Sequence, residues 1–74
     1  MKRGAQSYVG QLVHLVEPTF ARIRDQAAQH GTFVDNAFLV AQANRKQNKL
    51  VCYGSTLRIL VDVEEVRLQS GDTN

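Results

Sequence analysis

Residues 57–63, Leu57-Arg58-Ile59-Leu60-Val61-Asp62-Val63, decide the fold class. Leu57, Ile59, Val61 and Val63 alternate with Arg58, Leu60 and Asp62, the two-residue period of a half-buried strand. Upstream, residues 33–34, 38–40 and 50–53 are further short runs rich in β-branched and aromatic residues. Asp35-Asn36, the polar stretch 44–48 and Gly54-Ser55 separate them as turns. Residues 37–43 and 49–53 read as a hairpin whose loop is too long for a two-residue turn. A helix over 37–47, capped by Asp35-Asn36, is the competing reading.

Before Thr32 the period is different. Phe20, Ile23, Ala27 and Ala28 recur at helical spacing, with Pro18 suited to a first turn, Glu17 at the positive end of the dipole and Gly31 as a stop. This predicts a helix over about 18–30. Residues 8–16 fit either a helix in phase with it or a short strand over 11–16 ended by Glu-Pro, and we favour the strand. The expected fold is α+β. One main helix packs on a small curled antiparallel sheet of three to five short strands, for which a barrel-like form is one option. Phe20, Ile23, Ala27, Leu39, Val51, Ile59 and Val61 are the expected core, with Phe33, Phe38 and Tyr53 read as core aromatics.

Residues 62–68, Asp62-Val63-Glu64-Glu65-Val66-Arg67-Leu68, fit a short helical turn capped by Asp62 and Glu65, or a turn into a closing strand. In its acidic turn and apolar strand this tail is similar to the end of small barrels of the SH3 type, a resemblance that covers about a dozen residues. It carries no specific motif.

The chain has 74 residues, enough for one domain with a small core. We divide it into a flexible basic arm (1–7), a domain (8–68) and a polar tail (69–74). Cys52 is the single cysteine, so an internal disulfide and a paired-cysteine zinc site are excluded. A small fold without staples relies on packing or on a partner, so a homodimer is an open option. No apolar run is long enough to span a bilayer. Lys2-Arg3 begins like a signal peptide, but Gln6, Ser7, Gln11 and His14 interrupt the apolar stretch that should follow. The expected location is the cytoplasm, without membrane contact.

The formal charge is +2, unevenly placed. Residues 1–49 hold seven bases and three acids, a net of +4; residues 50–74 hold two bases and four acids, a net of −2. Such asymmetry attracts an anionic partner to one face, although a mixed soluble surface would look similar.

No nucleophile elbow, phosphate-binding loop or zinc-protease motif occurs, and we expect no enzyme activity, cofactor or metal. His14 lies in an apolar run, His30 suits a helix C-terminus, and Cys52 reads as a small buried hydrophobe. The cluster Asn44-Arg45-Lys46-Gln47-Asn48-Lys49 is the most informative. Arg45 can clamp a phosphate, Lys46 and Lys49 supply point charges, and Asn44 and Gln47 can bond to bases or backbone. Lys2 and Arg3 add a second contact. The plain alternative is a polar hairpin turn that keeps a strand pair soluble.

The leading expectation is a non-catalytic regulatory binding module of the transcription or translation machinery that contacts nucleic acid through this loop. The rival is a protein–protein adaptor or inhibitor, such as a phage- or plasmid-encoded regulator of a host polymerase, engaging its partner through Glu64, Glu65 and Leu60. A self-assembling structural subunit is the third reading.

Overall fold

The computed structural model describes residues 4–69. It contains one α-helix and a five-stranded antiparallel sheet, as the change of period predicts. The strands are β1 (Leu12–Leu15), β2 (Phe38–Asn44), β3 (Lys49–Tyr53), β4 (Arg58–Asp62) and β5 (Val66–Leu68). The helix α1 (Thr19–Gln29) joins β1 to β2, so residues 12–15 take the favoured strand form and 38–44 are not helical.

The sheet order is β4-β3-β2-β1-β5. It is open, with β4 and β5 as its two edges, and the barrel-like form is not realised. The reason lies between those strands. The chain coils into a 3-10 turn at Val63–Glu65 and carries β5 across to β1, and no ladder joins β4 to β5. Closure would need that ladder.

Phe20, Ile23 and Ala27 place the apolar stripe of α1 against the core. Pro18 stands at the N-cap, one position before the expected first turn. Gly31, at φ 72°, ends the helix. Its N–H donates to Ala28 O and the Thr32 N–H donates to Ala27 O, the two bonds of a Schellman motif.

The inner sheet face is formed by Val13, Leu15, Phe38, Val40, Leu50, Cys52, Ile59, Val61 and Val66, all buried. A bulge between Val40 and Gln42 lets Phe38, Val40 and Ala43 all turn inward. Asn36 extends the β1 ladder with its side chain. Its Oδ1 accepts from the Leu15 N–H at 2.6 Å and its Nδ2 donates to Leu15 O at 3.0 Å.

Several expected positions need correction. Leu39 is exposed, because its neighbour Phe38 takes the inward place and alternation turns Leu39 outward. Val51 is half-buried on the same outer face. Tyr53 is exposed there too, and Phe33 is 77% exposed in the loop before β2. The packed chain also begins before residue 8, since Ala5–Tyr8 form a 3-10 turn with Ala5 and Tyr8 buried. Lys2 and Arg3, and the tail from residue 70 onward, lie outside the described residues. Gln69 is bonded, its N–H donating to Leu12 O and its Nε2 to Asn36 O.

Candidate nucleic-acid interface

The β2–β3 hairpin turns through residues 45–48. Asn44 shapes the turn: its Oδ1 accepts from the backbone N–H groups of Lys46 (3.1 Å) and Gln47 (3.2 Å). Asn48 then takes φ 55°, a left-handed conformation that asparagine tolerates better than most residues. The Asn44 amide also donates to Gln47 Oε1 at 3.4 Å. The two amides that the sequence offered to a partner thus serve the loop itself.

The three cations of the cluster are not equivalent. Lys49 begins β3 opposite Asp62, and its Nζ lies 2.8 Å from Asp62 Oδ1. The hydrogen bond and charge of Asp62 hold the Lys49 amine above its ordinary pKa. Arg45 and Lys46 stand at the exposed tip and make no ion pair among the described residues. The chain enters the described fold beside them, with Gly4 lining a shallow hollow together with Arg45 and Asn48.

The other cations are mostly engaged. Arg22 lies 3.7 Å from Glu65, and Arg24 lies 3.6 Å from Asp25 and over the Phe20 ring. Arg67 donates to Glu64 O and Val66 O. Arg58, on β4, is exposed and makes no ion pair among the described residues.

Register brings together an outer face that the sequence reading missed. Leu12, Leu39, Tyr53 and Arg58 are successive cross-strand neighbours over β1, β2, β3 and β4. The next row is Gln42, Val51 and Leu60, and the third is Asn44, Lys49 and Asp62. The second row, with Asn44 and Lys49 of the third, lines a hollow of ≈ 540 Å³ that the hairpin tip borders. A cleft of ≈ 490 Å³ lies around the β4 edge, between Ile23, Ala27 and His30 on one side and Leu57, Arg58 and Ile59 on the other. The alternation in each strand was legible; the rows depend on pairing, which a single strand does not carry.

The acidic residues separate likewise. Glu65 is half-buried and committed within the chain. Its Oε1 accepts from the Asp62 N–H at 2.8 Å, completing a capping box, and its Oε2 accepts from Thr19 Oγ1 at 3.0 Å. Glu64 is exposed, and Leu60 is 63% exposed.

Cys52 is fully buried on the inner face, opposite to Lys49. Burial pushes its thiol up to about 11. Among the described residues no three of His, Cys, Asp and Glu are grouped to hold a metal ion, and no helix is long and apolar enough to cross a membrane. No family model matches the chain, and no curated protein or solved structure matches it.

Proposed function

We propose that this chain is a small non-catalytic binding module of the transcription or translation machinery that grips nucleic acid through the tip of the β2–β3 hairpin. One observation carries the reading. Arg45 and Lys46 are exposed without an ion pair among the described residues, on a loop held in shape by Asn44. A preformed loop gives up little conformational freedom when it meets phosphates. Lys49 contributes charge through its pair with Asp62 and so counts for less than Arg45 or Lys46. Arg58 and Tyr53 lie further along the same outer face, where a strand's backbone and bases would find a cation and an aromatic ring.

The test is a fluorescence-anisotropy titration of single- and double-stranded oligonucleotides over a salt series. Loss of two phosphate contacts in the Arg45→Ala/Lys46→Ala variant lowers the slope of log K against log salt by about 1.4 to 1.8. Lys49→Ala changes it less. An unchanged slope and affinity in the double variant would remove the hairpin from the interface.

A second reading, the protein-directed adaptor, is favoured by the exposed leucines Leu12, Leu39 and Leu60, which suit a protein surface better than a phosphate backbone. Capture of partners from lysate with and without nuclease separates the two. Partners lost after nuclease support the nucleic-acid module, and one protein assembly retained supports the adaptor.

A further inference from the structure

The two edges of the sheet are not alike. β5 is three residues long, and the Arg67 guanidinium bonds its Val66 carbonyl at 2.8 Å, so the strand blocks its own edge. β4 is five residues long, with Ile59-Leu60-Val61 at its centre. It holds no proline or bulge, and among the described residues its one paired neighbour is β3. Among the described residues no backbone group of residues 58–61 bonds to an element other than β3. The devices that usually keep an edge from pairing are missing from the middle of this one.

The order of residues in β4 is self-complementary. We propose that β4 is the interface of a homodimer, in which two copies of the strand pair antiparallel about a two-fold axis at Leu60. In that register Leu60 faces Leu60, Ile59 faces Val61, and Arg58 faces Asp62 of the second copy. Both ion pairs form at once, because a two-fold interface repeats each contact. Asp62 already holds Lys49 and caps the Glu65 N–H, and its carboxylate keeps an acceptor site for Arg58 of the second copy as well.

Other registers fail. A shift by one residue would set the inward residues of one copy against the outward residues of the other. A shift by two sets Arg58 or Asp62 against Leu60 and leaves the charges unpaired. In the proposed register the two sheets join into one of ten strands. The row Gln42, Val51, Leu60 then runs on into Leu60, Val51, Gln42 of the second copy, covering the 63%-exposed leucine with its own counterpart. The hairpin tips stay outside this seam, so the Leu60 variants test the dimer without altering Arg45 or Lys46, whereas Arg58 is shared with the proposed nucleic-acid face.

Sedimentation velocity of the full chain, without nucleic acid, from about 1 µM to about 1 mM tests the proposal. The expected result is a monomer–dimer equilibrium. Leu60→Lys puts like charges face to face at the axis and raises the dimer Kd at least about a hundredfold. Arg58→Glu puts two acids opposite each other twice and raises it at least about tenfold. Circular dichroism checks that each variant is folded. Where Leu60→Lys is not, Leu60→Cys decides, because directly opposed residues have Cα atoms about 4.5–5.5 Å apart, within disulfide reach. Mild oxidation then cross-links Leu60→Cys into dimers and leaves Leu39→Cys, on the same face but away from the edge, uncross-linked. A monomer throughout the range, a dimer that withstands a folded Leu60→Lys, a larger ring, or equal cross-linking at both positions would each overturn the proposal.

Discussion

Cys52 holds its proton into alkaline solution, because the inner face that buries it cannot solvate a thiolate. Its pKa is raised from 9.0 to about 11, so the folded state binds this proton more tightly than the unfolded chain does. The resulting stability is complete below pH 9 and is lost as pH rises through 11. At about 1.4 kcal/mol per unit, the loss amounts to about 2–3 kcal/mol once both states are ionised. Urea titrations between pH 8 and pH 12 should show it, and Cys52→Val should remove most of that slope. Lys49, also raised, adds to the alkaline loss in the same direction. A native thiol that reacts at the rate of an unfolded one at pH 8 would contradict this account. Single residues were legible in the sequence where one role excluded the others. Cys52, in Leu-Val-Cys-Tyr without a partner cysteine, fits a buried hydrophobe better than a reactive thiol or a metal ligand. Phe33 and Tyr53 were not legible, since an aromatic ring serves a core and an open face equally well.

At the scale of elements, β1 survives as an interior strand because a side chain completes its ladder. Leu15 meets the Asn36 amide where a backbone partner would stand, and both of its polar groups are satisfied. Asn36→Ala leaves that N–H and C=O without this partner. It should cost about 2–3 kcal/mol, read from the shift of the urea midpoint at unchanged slope. A loss under about 0.5 kcal/mol would mean that water replaces the amide without penalty. Most elements could be read from periodicity. The helix expected over 18–30 is Thr19–Gln29, and the strand expected over 11–16 is Leu12–Leu15. The hairpin and the turn at Asp62 were legible from their capping and turn residues. The bulge at Ala41 was not, because it is defined by the register against β3. Leu39 was assigned inward for that reason: of two adjacent apolar residues, pairing alone decides which faces the core.

For the whole molecule the decisive quantity is a thin margin of stability. A domain of this size rests on about 3–5 kcal/mol. Phe38 is 1% exposed and among the largest side chains fully enclosed in the core. Phe38→Ala should cost about 3–5 kcal/mol and leave the chain largely unfolded at 25 °C, whereas Phe33→Ala should stay within about 0.5 kcal/mol of the parent. Thermal melts followed by circular dichroism distinguish the two. Gly54 leaves room for this ring, since a Cβ added there would lie 2.9 Å from Phe38 Cε2. The candidate site was half legible at this scale. Arg45 and Lys46 stand out as a local cluster in the sequence. The row from Leu12 to Arg58 joins residues from four strands, and only the assembled sheet makes them neighbours.

The place of β1 also sets when the protein can come into being. β1 is made early, yet it sits between β2 and β5, and Val16 bonds its N–H to Glu65 O. The buried Val13 and Leu15 are therefore covered on one side only once residues 65–68 are available. On a translating ribosome the nascent chain carries an incomplete sheet until its last strand clears the exit tunnel. Folding is then delayed until residues 65–68 have emerged, and a transcript truncated before Val66 yields a product for proteases instead of a shortened module.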